Sequence, residues 1–318
     1  MVATFPTAST RETYGKTLLE LGRQNPDIVV LGGDLNKSTF THLFAEEFPD
    51  RFFDFGPAEQ NIMSVAAGLA SSGKIPFVST FAVFAVCRPF DQLRISISQP
   101  NLNVKIVSTH AGISTGEDGM SAHGIEDLSL ACSLPNFNVV APADAVETIK
   151  VIETAVRTPG PFYIRLYRPA TPVVHANGCD FSLGTAEIMR QGHDATIFAI
   201  GTMVAHALQA AEVLAQDGTQ CRVVNLHSLR PLDDEAIVSA ARETGAVVTA
   251  EEHHVHGGVG SVVAQVLGRR HPTPLEMVAL EGYAESGKAE ELMLKYHLSS
   301  TDIEGAVRKV LDRKSRAS

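Results

Sequence analysis

The sequence predicts an α/β protein built as two units, and three observations carry that reading. Short apolar, β-branched runs alternate with longer helical stretches almost from end to end, the rhythm of a mostly parallel sheet covered by helices on both faces. A stretch bearing proline and glycine, 168–184, breaks the rhythm and reads as a connector. The 318 residues are enough for two cores at roughly 150 residues per domain.

In the first unit the runs at 27–31 (DIVVL), 75–79 (IPFVS), 104–109 (VKIVST), 138–141 (NVVA) and 162–166 (FYIRL) read as buried strands. Helical stretches lie between them near 10–23, 59–72, 83–98, 124–134 and 144–157. After the connector the alternation restarts, with strands at 195–200, 221–225, 246–250 and near 275–280. Helices are expected at 203–216, 233–243, 258–268 and near 301–314. This second unit is smaller and also α/β.

Composition excludes several functions. Lys and Arg number 26 against 36 Asp and Glu, a net charge of −10, which argues against a nucleic-acid binder that works by neutralising phosphates. Apolar runs fall short of the ~20 residues that span a bilayer, and 1–11 lacks the basic-then-apolar pattern of a secretory signal. A soluble, cytoplasmic protein is expected. The four cysteines form no CxxC pair, so their spacing suggests neither a zinc site nor a disulfide framework. The 19% charged fraction is below the ~25% of an average soluble chain, as expected where other protein covers the surface.

Ligands of open α/β sheets bind beyond the carboxyl ends of the strands, which directs attention to 32–38, 80–87, 110–123 and 165–168. Glu59 precedes the apolar stretch 62–70. It fits the first turn of a helix, where the dipole favours a carboxylate, the reading the sequence alone favours; the other is a buried acid that shares a proton with a ligand nitrogen. Phe81, Phe84 and Cys87 repeat every third residue, as core packing or as the wall of a site for a flat ring. The segment 110–126 (HAGISTGEDGMSAHGIE) holds four glycines, three acids and two histidines after a strand. That composition favours a loop whose backbone approaches a ligand over a solvated turn, and its histidine spacing matches no familiar metal pattern. The histidine- and glycine-bearing 251–261 (EEHHVHGGVGS) reads as a tight strand-to-helix turn. Arg165 and Arg168 suit either a phosphate or an interdomain ion pair.

Together these residues resemble the transketolase family, specifically its carboxyl-terminal half, over essentially the whole chain. The most specific stretch is 110–135, where H-x7-D with GEDG is followed by IED and SLPN. The segment 32–38 (GGDLNKS) is similar to the family's G-x-DL-x-x-S. The resemblance implies a thiamine-diphosphate-binding pyrimidine domain, a parallel sheet sandwiched by helices, at 1–170. A linker at 171–186 and a transketolase C-terminal domain at 187–318 would follow. It implies that Glu59 bonds the aminopyrimidine ring of thiamine diphosphate, that Phe81 and Phe84 pack on that ring, and that Cys87 replaces a usual tyrosine. Asp34 would lie near the cofactor and the dimer interface. His110, a catalytic residue beside Glu59, and Asp118 would hold the hydroxyls of the donor ketose. Arg11, Ser38 and Arg168 would contact its phosphate.

The family's GEDG-x-THQ reads GEDG-MSAH here, so Ala122 occupies the place of a histidine and His123, a further expected substrate contact, that of a glutamine. No segment resembles the GDG…N motif that binds magnesium and diphosphate. The chain is therefore expected to be one subunit of a split transketolase of pentose phosphate metabolism. An N-terminal partner subunit, the PP domain, would bind Mg2+ or Ca2+, and two copies of each subunit would form α2β2. The alternatives are the beta subunit of a 2-oxo-acid dehydrogenase, half of a 1-deoxyxylulose-5-phosphate synthase, or a non-catalytic regulatory or scaffolding subunit.

Overall fold

A computed structural model describes residues 5–317. The larger sheet has seven strands in the order Ser228–Arg230, Asn138–Val140, Phe162–Arg165, Lys105–Ser108, Ile75–Ser79, Ile28–Gly32, Phe52–Asp54. Six of them run parallel. The seventh, Ser228–Arg230, arrives from the second half of the chain and pairs antiparallel to Asn138–Val140. The central strands Ile28–Gly32, Lys105–Ser108 and Phe162–Arg165 are buried at every position, which is why each reads as a nearly continuous apolar run.

All five expected strands of this sheet are present. The two additional ones, Phe52–Asp54 and Ser228–Arg230, have three residues each, too few to show a period. Helix Thr10–Gln24 starts where Ser9 accepts the N–H of Glu12, and Ala145–Arg157 where Asp144 accepts that of Glu147. The single helix expected over 83–98 is instead Ala82–Val86, Phe90–Gln92 and a π-helical turn, Leu93–Ser98. Pro89 sits at the break, without an N–H to continue the ladder. The helix expected over 124–134 contracts to Asp127–Cys132, because Gly124 is held extended by a bridge to Ala111 and by the N–H of Gly112 at 2.7 Å.

The smaller sheet runs Leu275–Leu280, Val247–His254, Ala195–Ala199, Cys221–Asn225, Glu187–Arg190. The first four strands are parallel and the last is antiparallel. Val247–His254 runs four residues further than expected, so Glu251, Glu252 and His253 are buried strand residues. Apolar side chains of both sheets and their covering helices, among them Val139 and Phe198 from strands and Leu128 and Val259 from helices, share one buried cluster. A short antiparallel pair, Thr7–Ala8 with Thr171–Pro172, ties the start of the chain to the connector. Among the described residues no helix is long and apolar enough to cross a membrane.

Candidate active site

Phe162–Arg165, Lys105–Ser108, Ile75–Ser79, Ile28–Gly32 and Phe52–Asp54 are successive neighbours in the sheet. The segments that follow their carboxyl ends therefore lie side by side. This adjacency assembles a row of contacts from residues far apart in sequence.

Glu59 opens helix Glu59–Ser71 and is 4% exposed. Nη1 of Arg88 donates to both its carboxylate oxygens, at 3.0 and 3.2 Å. The Arg88 guanidinium lies 4.2 Å from the ring centre of Phe84. Phe84 stacks on Phe81 with ring centres 5.8 Å apart, and Phe81 stacks on His110 at 3.7 Å and 17°. The Phe81, Phe84, Cys87 repeat is not uniformly core: Phe81 is buried while Cys87 is exposed. Partial burial of its sulfur, with Glu126 and Asp127 close by, pushes the Cys87 thiol up to about 11.

His110 is buried, with a φ of 59°, an uncommon left-handed conformation for a residue with a Cβ. Thr109 Oγ1 lies 2.8 Å from its Nδ1, and Thr115 Oγ1 donates to its carbonyl at 2.7 Å. Burial first, then the charges of Arg11 and Arg168, hold its pKa down at about 3. The imidazole is therefore neutral at physiological pH, and the positive charge here is carried by the two arginines. Arg11 donates to the Ser38 carbonyl at 2.6 Å, and its buried Nε has no hydrogen-bond partner. Its pKa is lowered by burial and by the charge of Arg168, as for a cation held near another cation. Arg168 donates to the Thr115 carbonyl at 2.8 Å, and its Nε lies 3.9 Å from an oxygen of Asp118.

The loop bearing His110 and Asp118 is a kinked 3-10 turn, Ile113–Asp118, bent at Gly116. Glu252 anchors it from the other sheet, accepting the Ser114 N–H at 2.5 Å and the Ser114 hydroxyl at 3.1 Å. A Cβ at Gly112 would lie 2.1 Å from that carboxylate, and Gly112 has a φ of +77°, so only glycine fits there. His123 is turned into the loop, with Nε2 3.0 Å from the Gly116 carbonyl and a buried Nδ1 that has no hydrogen-bond partner. Asp34 stands apart from the row. Its N–H donates to Asp54 at 3.0 Å, and the same carboxylate accepts from Asn36 and Gly56.

Two other sequence features receive structural roles. Arg165 is buried and forms an ion pair, but within its own unit rather than between the two: its Nε lies 2.8 Å from Asp127, while its Nη2 donates to the carbonyl of Gly124 and, across to the other sheet, to that of Glu252. Glu251 accepts the N–H groups of Val259 and Gly260 at 2.6 and 2.8 Å, capping a helix at the tight turn expected there. Sequence reasoning missed Arg88 and Glu252. Arg88 carried a signal, directly following the aromatic repeat, whereas Glu252 reaches Ser114 across 138 positions and carried none.

Residues 6–173 match the family model "Transketolase, pyrimidine binding domain", and 184–303 match "Transketolase, C-terminal domain". A Clostridium 6-deoxy-6-sulfo-D-fructose transketolase subunit is 39% identical over 306 residues, 96% of this chain and 95% of that one. Human transketolase is 36% identical over 310 residues, 96% of this chain but 49% of that protein, so this chain spans about half its length. A solved structure described as "Split gene transketolase, inactive beta4 tetramer" superposes with a TM-score of 0.90 at 49% identity, covering 96% of this chain and 99% of that one. The chain belongs to the transketolase family, of which it carries the pyrimidine-binding and C-terminal domains.

Proposed function

We propose that this chain is one subunit of a split, thiamine-diphosphate-dependent transketolase that transfers a two-carbon ketol unit from a ketose phosphate to an aldose phosphate. The contacts from Glu59 through Arg88, Phe84 and Phe81 to His110, with Arg11 and Arg168 within electrostatic reach of His110 and Arg168 beside Asp118, carry the reading. They offer a buried acid at one end, aromatic faces in the middle, and a neutral imidazole beside cations at the other.

The residues fit the cofactor's pyrimidine end. Glu59 and Arg88 line a cleft of about 370 Å3 with Pro57, Ala58, Gln60 and Asn61, and the stacked rings continue from Arg88. Bound thiamine diphosphate supplies the electron sink that lets a carbon–carbon bond beside a carbonyl break and re-form. Glu59 holds a proton at a ring nitrogen from a position sheltered from water. Phe81 and Phe84 orient the ring, and the Cys87 thiol, smaller than a tyrosine, leaves one wall more open. His110 hydrogen-bonds the substrate oxygen that gains charge. Arg11 and Arg168 draw in the phosphate, Ser38 and Asp118 complete the sugar contacts, and His123 supports the loop they depend on.

The diphosphate and its Mg2+ or Ca2+ are assigned to an N-terminal partner subunit. Among the described residues, the one group of converging metal-ligand side chains involves none of this row. Asp34 is assigned to the region near cofactor and dimer interface, the assembly to α2β2, and the setting to cytoplasmic pentose phosphate metabolism. That a similar beta-only tetramer is described as inactive supports the need for a partner.

The test reconstitutes the chain with a partner subunit bearing GDG…N, thiamine diphosphate and Mg2+, and compares a ketose phosphate with pyruvate as donor. The ketose is expected to be consumed, and Glu59→Gln to lower turnover by about 10²–10⁴-fold. Near-normal turnover in Glu59→Gln would sink the assignment, and use of pyruvate instead of the ketose would move it to the dehydrogenase or synthase reading.

A further inference from the structure

We infer that the chain carries a metal clasp at its connector, in which Glu147, His175, Cys179 and Glu187 together hold one zinc-type divalent cation. One ligand atom from each of the four lies within 4.8 Å of all the others. Glu147 comes from the first turn of helix Ala145–Arg157 and Glu187 from the first position of strand Glu187–Arg190, while His175 and Cys179 belong to the segment joining the halves. A nitrogen, a sulfur and two carboxylate oxygens make the mixed set a borderline, tetrahedral cation takes. Hard cations such as Mg2+ and Ca2+ prefer oxygen alone. Four protein ligands leave no position open for substrate, as in a structural site.

The surroundings are built as metal sites are built. Asp144 Oδ2 lies 3.0 Å from His175 Nδ1, leaving Nε2 to face the cluster, 3.0 Å from Glu187 Oε2. A carboxylate behind a ligating histidine fixes its tautomer and orientation. Asp144 is itself held by the N–H groups of Val174 and His175, both at 2.8 Å. Glu147, fully buried, accepts from the Asn225 amide at 3.0 and 3.1 Å and from the Ala143 N–H at 2.6 Å. The buried His227 Nδ1 lies 2.7 Å from Glu147 but off the line of a hydrogen bond.

Charge points the same way. Three carboxylates, of Asp144, Glu147 and Glu187, face two imidazoles, so even with both histidines protonated the pocket keeps an excess negative charge that burial penalises. Loading the ion would release the proton of the Cys179 thiol and the one between His175 and Glu187. The ligands are scattered from 147 to 187 without a CxxC pair, which is why spacing pointed away from a metal. The inference does not depend on the activity proposed above.

The experiment strips the full chain with a chelator, titrates it with Co2+, then displaces Co2+ with Zn2+. One ion per chain is expected, with the visible bands of tetrahedral cobalt, a near-ultraviolet thiolate-to-cobalt charge-transfer band, and a Tm raised by Zn2+. Cys179→Ser is expected to lose the charge-transfer band, and Glu187→Gln to bind Co2+ about tenfold more weakly or worse. Both side chains are half-buried and the replacements nearly isosteric, so circular dichroism should match the parent. Failure of the parent chain to take up stoichiometric Co2+, or a charge-transfer band that survives in Cys179→Ser, would overturn the clasp and leave a hydrogen-bond network.

Discussion

Burial, and then the field of Arg11 and Arg168, leave a positive charge on His110 with little support, and its pKa falls from 6.5 to about 3. The sign of the stability effect follows. Between pH 6.5 and 3 the unfolded chain binds a proton at this position that the native chain refuses, so His110 makes stability fall as pH falls through that window, by up to about 1.4 kcal/mol per pH unit. Above 6.5 it contributes no slope. Urea denaturation at pH 6.5, 5.5 and 4.5 should show a shallower pH dependence for His110→Gln than for the parent, and equal slopes would refute the assignment of this proton. His110 was legible in the sequence, because it follows a strand and opens a glycine-rich segment. Its neutrality was not, since Arg11 and Arg168 stand 99 and 58 positions away (110 − 11; 168 − 110). Glu59 was legible for a similar reason, at the head of an apolar helix, whereas Arg88 as its partner depends on how two segments cross.

At the scale of elements, the turn Ile113–Asp118 owes its shape to a neighbour. Glu252 accepts two hydrogen bonds from the buried Ser114 and one from the half-buried Thr202 hydroxyl at 3.3 Å. Replacing it by alanine leaves buried donors unpaired, at about 1–3 kcal/mol, and frees the turn that carries Asp118. Glu252→Ala should speed amide exchange across 113–118, with Glu252→Gln restoring much of the protection. Unchanged exchange in Glu252→Ala would mean that the loop holds itself. Thr10–Gln24 could be read directly because its helical period repeats over several turns, and the five expected strands because each lies in a nearly continuous apolar, β-branched run. Phe52–Asp54, Asn36–Thr39 and Ser228–Arg230 have three or four residues each and exist through the neighbours they pair with. The break at Pro89 was written in the sequence and should have split the expected helix.

Across the whole molecule the two sheets act as one body, joined by a shared apolar cluster, by the exchange of strand Ser228–Arg230, and by Arg165. The alternation of runs announced both sheets, but it could not show that a strand of the second half completes the first sheet, because that pairing is antiparallel and three residues long. Arg165 is the charged part of this joint. It projects from the larger sheet, pairs with Asp127, and donates to the backbone of Glu252 in the smaller one. Both partners of the ion pair are at most 1% exposed, so removing the cation strands a carboxylate in the interior. Arg165→Met is expected to cost about 3–5 kcal/mol, read as a lower Tm by calorimetry. In Arg165→Met/Asp127→Asn no charge is stranded, and the amide oxygen can still accept the Tyr163 hydroxyl that Asp127 accepts at 2.6 Å. The double variant should therefore recover part of the loss, while the carbonyls of Gly124 and Glu252 remain without their donor. A double variant no more stable than Arg165→Met would show that Arg165 acts through those carbonyls rather than through its charge.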